Sequence, residues 1–208
     1  MEIVQYLKDI YGYGTPIFLK DIRIGRKSKT AIRKELSRAV KEKKIYRSSQ
    51  GVYCFKEEDE IKKVSFEKVV LKKYIMDDFD IKGLDLFVFG YYSGQSFLNM
   101  IGISQQVPAV LEITTNNTSC KRMISINGRR AIVRKGRTEI NRFNYKALQF
   151  FDMLSSFLTI DEIKKNKQLL INYISENLTK KDFTDNIKYY SNKVMKIIVE
   201  EGLINAFK

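Results

Sequence analysis

The dipeptide Asn127-Gly128 constrains this chain more than any other feature. It lies between two apolar runs, Met123-Ile124-Ser125-Ile126 and, after a pair of arginines, Ala131-Ile132-Val133. A two-residue type I′ turn needs positive φ at both central positions. Asparagine and glycine adopt it at least cost, and its twist matches that of paired strands. An antiparallel hairpin is therefore expected here, with Arg129, Arg130, Arg134, Lys135 and Arg137 on or beside it. Helical patterns surround it. Ser65–Met76 and Ser93–Ile101 are amphipathic, the second stopped by Gly102, and Phe143–Leu158 returns to helical spacing. Thr159-Ile-Asp-Glu162 is a capping-box start for a helix running to about Leu178, and a last helical segment ends at Gly202. Pro108–Thr115 is rich in strand formers. This part of the chain is therefore mixed α and β.

The first sixty residues follow a different order. Ile3, Val4, Leu7 and Ile10 recur at helical spacing, and Gly12 and Gly14 end the pattern. Thr15–Phe18 reads as extended, and Leu19–Ile24 as one or two helical turns closed by Gly25. Ser28 is an N-cap for a longer helix from Lys29 to about Lys43. Its apolar stripe is Ile32, Leu36, Ala39 and Val40, while Lys29, Thr30, Arg33, Lys34, Ser37, Arg38 and Lys41 occupy the opposite face. Ile45–Ser48 and Val52–Phe55 then form a hairpin turning at Ser49–Gly51. Helix, short helix, basic helix and hairpin is the order of a winged helix-turn-helix. In that arrangement a helix enters the major groove and flanking bases hold phosphates. Lys44 and Arg47, beside the hairpin, join Ser28 and the helix face as expected DNA contacts. Glu57-Glu58-Asp59-Glu60 followed by Lys62-Lys63 reads as a linker. The expected fold is α+β: a DNA-binding domain over 1–60, then an α+β domain over 65–208 with the hairpin and C-terminal helices.

Charge supports that division. The 208 residues carry 38 bases and 24 acids, a net charge of +14. Residues 20–50 hold twelve bases and three acids, and residues 121–146 hold nine bases and one acid, Glu139. The remainder nearly cancels. A single charge run is commonly just a solvated face. Two islands in an otherwise neutral chain point to a polyanion. The second island contributes Arg122, Arg129, Arg130, Arg134, Lys135 and Arg137 as an expected antitoxin or second polyanion surface.

Other chemistry is excluded or weak. The chain has no histidine, which removes Ser-His-Asp and Cys-His catalysis and imidazole ligation. Cys54 and Cys120 are far apart with no paired spacing, so two reduced, partly buried thiols are expected, with no metal site and no cofactor. Gly25–Thr30 lacks the earlier glycine of a phosphate loop. Asp77, Asp78 and Asp80 resemble paired metal-binding carboxylates. However, Gly90 and Ser93 follow them, where a nucleotidyltransferase has its Gly-Ser turn before its acids. Glu112-Ile113-Thr114 lacks the lysine that a restriction-type nuclease places two residues after its acid. No catalytic residue is expected. The start, Met1-Glu-Ile-Val-Gln-Tyr, has an acid where a signal peptide has bases, and no apolar run is long enough to span a bilayer. A cytoplasmic location without membrane contact is expected.

Two stretches together resemble a known family. Ser28-Lys-Thr-Ala-Ile-Arg-Lys-Glu-Leu-Ser-Arg-Ala, leading into Lys44-Ile-Tyr-Arg and Gly51-Val-Tyr, is similar to the winged-helix end of AbiEi-type antitoxins. Gly90-Tyr-Tyr-Ser-Gly-Gln-Ser-Phe-Leu-Asn-Met-Ile-Gly-Ile-Ser-Gln-Gln-Val-Pro, followed by Glu112-Ile-Thr-Thr, is similar to that family's second segment. The resemblance covers roughly residues 1–158. It implies an antitoxin and transcriptional autorepressor of a bacterial type IV toxin–antitoxin operon, active in phage defence. Its partners would be operator duplex DNA, bound through the winged helix, and a cognate nucleotidyltransferase toxin, counteracted by the second domain. Ile103 stands where the family often has leucine. Ser48-Ser49-Gln50 stands where a base is common, so contacts from the wing tip do not follow from the resemblance. The alternative reading is a DNA-binding regulator whose second domain is a small-molecule sensor or enzyme, with Gly90–Thr115 as its pocket.

Overall fold

A computed structural model describes residues 2–55, 65–77, 87–126 and 128–208, and the chain divides into two compact units. The first comprises Met1–Val70 with Ser125–Arg129, and the second Leu71–Ile124 with Arg130–Lys208. The expected linker at 57–64 lies outside the described residues. The second unit begins at Leu71, and Phe66–Val70 belongs with the N-terminal part.

In the first unit, α1 (Ile3–Tyr11) buries Ile3 and Leu7 and ends where Gly12 turns to φ 61°. Strand β1 (Ile17–Phe18) follows, then α2 (Lys29–Lys41), β2 (Tyr46–Ser49) and β3 (Val52–Cys54). The strands form one antiparallel sheet in the order β1-β3-β2. Ile32, Leu36 and Ala39 of α2 pack with Leu7, Ile17 and Phe55 in one core, while Val40 is only half-buried. The expected short helix at Leu19–Ile24 is absent; the chain makes a turn over Leu19–Asp21 instead. Tertiary bonding explains the difference. The Leu19 N–H donates to the Gly51 carbonyl at 2.9 Å, continuing the β1–β3 ladder past Phe18, and the Asp21 N–H closes a turn on the Phe18 carbonyl at 2.9 Å, with Ile22 buried as a single anchor.

The segment expected as one helix over Ser65–Met76 has three conformations. Helix α3 (Phe66–Val70) gives way to a π-helical turn, Leu71–Ile75, and then to strand β4 (Met76–Asp77). Strand β4 pairs antiparallel with β5 (Phe87–Val88), and the Phe89 N–H donates to the Ile75 carbonyl at 2.8 Å. Strand pairing thus overrides the helical spacing.

The second unit continues with β6 (Gly90–Tyr92), α4 (Gly94–Met100) and β7 (Val110–Thr115). Then come β8 (Arg122–Ile126) and β9 (Arg129–Lys135), the hairpin strands expected from sequence. Asn127 lies outside the described residues; Gly128 has the positive φ, 82°, that the turn needs. The four-stranded sheet runs β6-β7-β9-β8, with β7 and β9 parallel and β8 at the edge. Helix α5 (Tyr145–Ser156) buries Leu148, Phe150, Phe151 and Leu154 in the largest core.

The Thr159–Glu162 capping box forms as expected, with the hydroxyl accepting from the Glu162 N–H. Bonds from the Thr159 N–H and hydroxyl hold the Glu162 carboxyl below its ordinary pKa. The helix it starts does not reach Leu178. It splits into α6 (Ile160–Lys165) and α7 (Lys167–Asn177), because the Asn166 side-chain amide donates to the Glu162 carbonyl and leaves helical backbone. A second capping box, Thr179 with Asp182, starts α8 (Lys180–Asn186). Helix α9 (Asn192–Glu200) ends before Gly202 at φ 69°. Rings lock this bundle: Phe150 stacks on Tyr173 at 5.7 Å, and Phe151 meets Tyr190 edge-on at 5.4 Å. Among the described residues, no helix is long and apolar enough to cross a membrane.

Candidate nucleic-acid interface

Ser28 makes the cap expected of it, its hydroxyl accepting from the Ala31 N–H at 3.2 Å. This starts α2 in a register that turns Ile32, Leu36 and Ala39 inward. A 3.6-residue repeat then sends the rest outward. Ser28, Lys29, Thr30, Arg33, Lys34, Ser37, Arg38 and Lys41 are all exposed, as are Lys44 and Arg47.

Exposure alone does not make a base available. Lys44 lies 3.1 Å from Glu2 and 3.0 Å from Glu42, and hydrogen bonds to the two carboxylates raise its pKa. Its charge is already balanced. Lys27 is likewise paired with Glu35 at 2.7 Å. By contrast, Lys29, Arg33, Lys34, Arg38, Lys41 and Arg47 have no acidic partner among the described residues. Five of these lie on α2 and Arg47 on the adjoining strand β2. Such a surface carries excess positive charge on a rigid helix, which suits phosphates on either side of a groove.

The second island does not stay together. Strand alternation sends consecutive side chains to opposite faces, so residues adjacent in sequence meet different partners. Arg129, in the first unit, pairs with Glu67 and lies 4.8 Å over the Phe66 ring. Hydrogen bonding from Ser65, helped by Arg129, holds the Glu67 carboxyl below its ordinary pKa. In the second unit, Arg134 pairs with Glu112 and covers Phe157 at 5.2 Å. Arg137 donates to Asp152 at 3.2 Å and to Ser155 at 3.3 Å. Arg122, Arg130 and Lys135 remain exposed without an acidic partner among the described residues.

The acids that split this island were not visible as its partners in the sequence, where Glu139 is the one acid nearby. Asp152 also accepts from the Tyr91 hydroxyl at 2.6 Å. Burial, then the Asp152 charge, pushes the Tyr91 pKa well up. Glu112 accepts from the Gln95 N–H at 3.3 Å, in space that Gly94 leaves open: a Cβ there would sit 2.3 Å from a Glu112 oxygen. The Arg134–Glu112 pair is largely buried, at 25% and 17% side-chain exposure. Removing one charge strands the other. Arg134→Met should destabilise the chain by about 2–4 kcal/mol in denaturant unfolding, somewhat below the range for fully buried pairs. Adding Glu112→Gln should recover more than half of the loss; no recovery would show that the pair is not coupled.

Other candidates separate. Cys54 is buried, whereas Cys120 is exposed rather than partly buried, and neither is in a disulfide. Asp77 is buried, 3.9 Å from Lys72, while Asp78 and Asp80 lie outside the described residues. Among the described residues, no group of three or more acids or cysteines is arranged to hold a metal. No family model, curated protein or solved structure shows a significant match to this chain.

Proposed function

We propose that this chain is a DNA-binding transcriptional repressor that reads operator duplex through α2. The carrying observation is a set of six exposed bases without an acidic partner among the described residues, five on the Ser28-capped α2 and one on β2. The order helix, strand, basic helix and hairpin supports a winged-helix reading of the first unit, with the short second helix reduced to a turn. Ser28, Lys29, Thr30, Arg33, Lys34 and Ser37 face base edges and nearby phosphates in this reading, and Arg38, Lys41 and Arg47 hold the backbone. Lys44 serves instead as an internal clamp on Glu2 and Glu42.

The resemblance to AbiEi-type antitoxins adds the second half of the proposal. The second unit counteracts a nucleotidyltransferase toxin, and the winged helix represses the shared operon. Of the second island, Arg122, Arg130 and Lys135 have side chains available for such a partner. The small-molecule alternative for Gly90–Thr115 draws less support, since the chain's own Glu112 carboxylate fills the space beside Gly94.

Two substitutions test the DNA reading. Arg33→Ala should lose about 1–3 kcal/mol of discrimination between operator and random duplex, whereas Lys41→Ala should weaken both alike. Footprinting the upstream region supplies the operator. If neither change alters affinity for either duplex, α2 is not at the DNA. The antitoxin half predicts growth rescue when the chain is co-expressed with a nucleotidyltransferase encoded beside it; no rescue removes that half alone.

A further inference from the structure

Among the described residues the four-stranded sheet ends at β8, and an edge strand presents backbone donors and acceptors with no strand beyond them. Among the described residues, the backbone of Arg122–Ile124 makes no hydrogen bond to any element outside the sheet. Side chains leave the strand open too: Arg122 is exposed, Met123 is 57% exposed and Ile124 half-buried. Lys121 precedes them, also exposed, and neither Lys121 nor Arg122 has an acidic partner among the described residues.

The π-helical turn adds a third cation. Lys73 lies near enough to Arg122 for that charge to lower the lysine's pKa, after the larger effect of burial. Arg122 also borders the Tyr74 hydroxyl.

We propose that the edge of β8 at Lys121–Ile124 is a docking site for an extended acidic segment of a partner protein, added to the sheet as a further strand. Two features select this occupant. A free ladder edge wants alternating amides and carbonyls, which a peptide supplies and a nucleic-acid backbone does not. The bases beside it favour Asp or Glu and oppose a second copy of this chain, which would bring the same bases to the same edge. Met123 offers an apolar contact on the next residue. The site is independent of the DNA reading, because it uses none of the α2 residues.

The test uses the full chain and a fluorescein-labelled octapeptide of alternating Glu and Val. Anisotropy should show saturable binding, and amide exchange at Arg122–Ile124 should slow on peptide addition. Arg122→Glu should weaken binding roughly tenfold, the effect of losing one favourable charge contact and gaining a repulsive one. A peptide of the same sequence with N-methylated amides keeps the charge but cannot extend a ladder, so it should not bind. Equal binding by the N-methylated peptide, no protection at β8, or no binding at all overturns the proposal. So does protection of the same amides by an oligonucleotide when the peptide gives none. None of these outcomes bears on α2, whose variants are read separately with duplex DNA.

Discussion

Raising salt from 50 to 200 mM should loosen the chain's hold on duplex DNA by about a thousandfold. The estimate follows from counterion release: each phosphate neutralised contributes about −0.9 to the slope of log K against log[salt]. Lys29, Arg33, Lys34, Arg38, Lys41 and Arg47 are the bases of the first unit's interface without an acidic partner among the described residues, giving a slope near −5 if all six engage. The pairing pattern sharpens the test. Lys41→Ala should make the slope shallower by about one. Lys44→Ala should leave it nearly unchanged, because Lys44 already balances Glu2 and Glu42 and displaces no counterions from DNA. A count of bases from sequence makes no such distinction between these lysines. A fluorescence titration at five salt concentrations suffices. A flat response would remove the electrostatic mode of binding, and an equal loss in the two variants would show that the Lys44 clamp opens on DNA.

Replacing Gly90 should damage the second unit more than replacing any other glycine of its sheet. An added Cβ would stand 2.0 Å from the Tyr74 carbonyl oxygen, 2.8 Å from that of Thr114 and 3.1 Å from the Thr115 Cβ. The two nearest atoms are backbone, one in the π-helical turn and one in β7, so no rotamer change relieves the overlap. Either the turn or the strand must move, and overpacking of this kind costs about 3 kcal/mol or more. Gly102 and Gly128 provide the contrast. Each has open space where a Cβ would go but a positive φ, 79° and 82°, so alanine there costs only about 1–2 kcal/mol of backbone strain. Thermal unfolding of the three alanine variants should therefore rank Gly90→Ala last by a wide margin. If Gly90→Ala melts with the parent chain, the close approach of the Tyr74 carbonyl to the sheet does not exist in solution.

Arg129 shows the limit of reading charge along the chain. Its neighbours in sequence suggest one basic surface with Arg130, Arg134 and Arg137. In the structure Arg129 meets Glu67, Arg134 meets Glu112 and Arg137 meets Asp152. Each acid comes from a distant segment: strand alternation sends Arg129 and Arg134 to opposite faces of β9, and Arg137 lies past the strand's end. The first island loses Lys27 and Lys44 to acids, but the five bases of α2 keep a shared helix without an acidic partner among the described residues. A helical repeat keeps Lys34, Arg38 and Lys41 on the side away from Ile32 and Leu36, with Arg33 on its flank, wherever the helix is placed.

Local signals that act within one turn were legible in the residues themselves. Ser28 caps α2, Thr159 and Glu162 close their capping box, Gly12 and Gly202 end helices, and the runs beside Asn127-Gly128 become strands. Caps, turns and periodicity depend on atoms a few residues apart, so the sequence alone determines them. The tertiary structure decided the rest. Pairing with Gly51 carried the β1 ladder on to Leu19, pairing with Phe87 and Val88 drew Met76 and Asp77 into a strand, and distant carboxylates divided the arginines. These outcomes depend on which backbone or charge arrives from far along the chain, and folding alone supplies that neighbour.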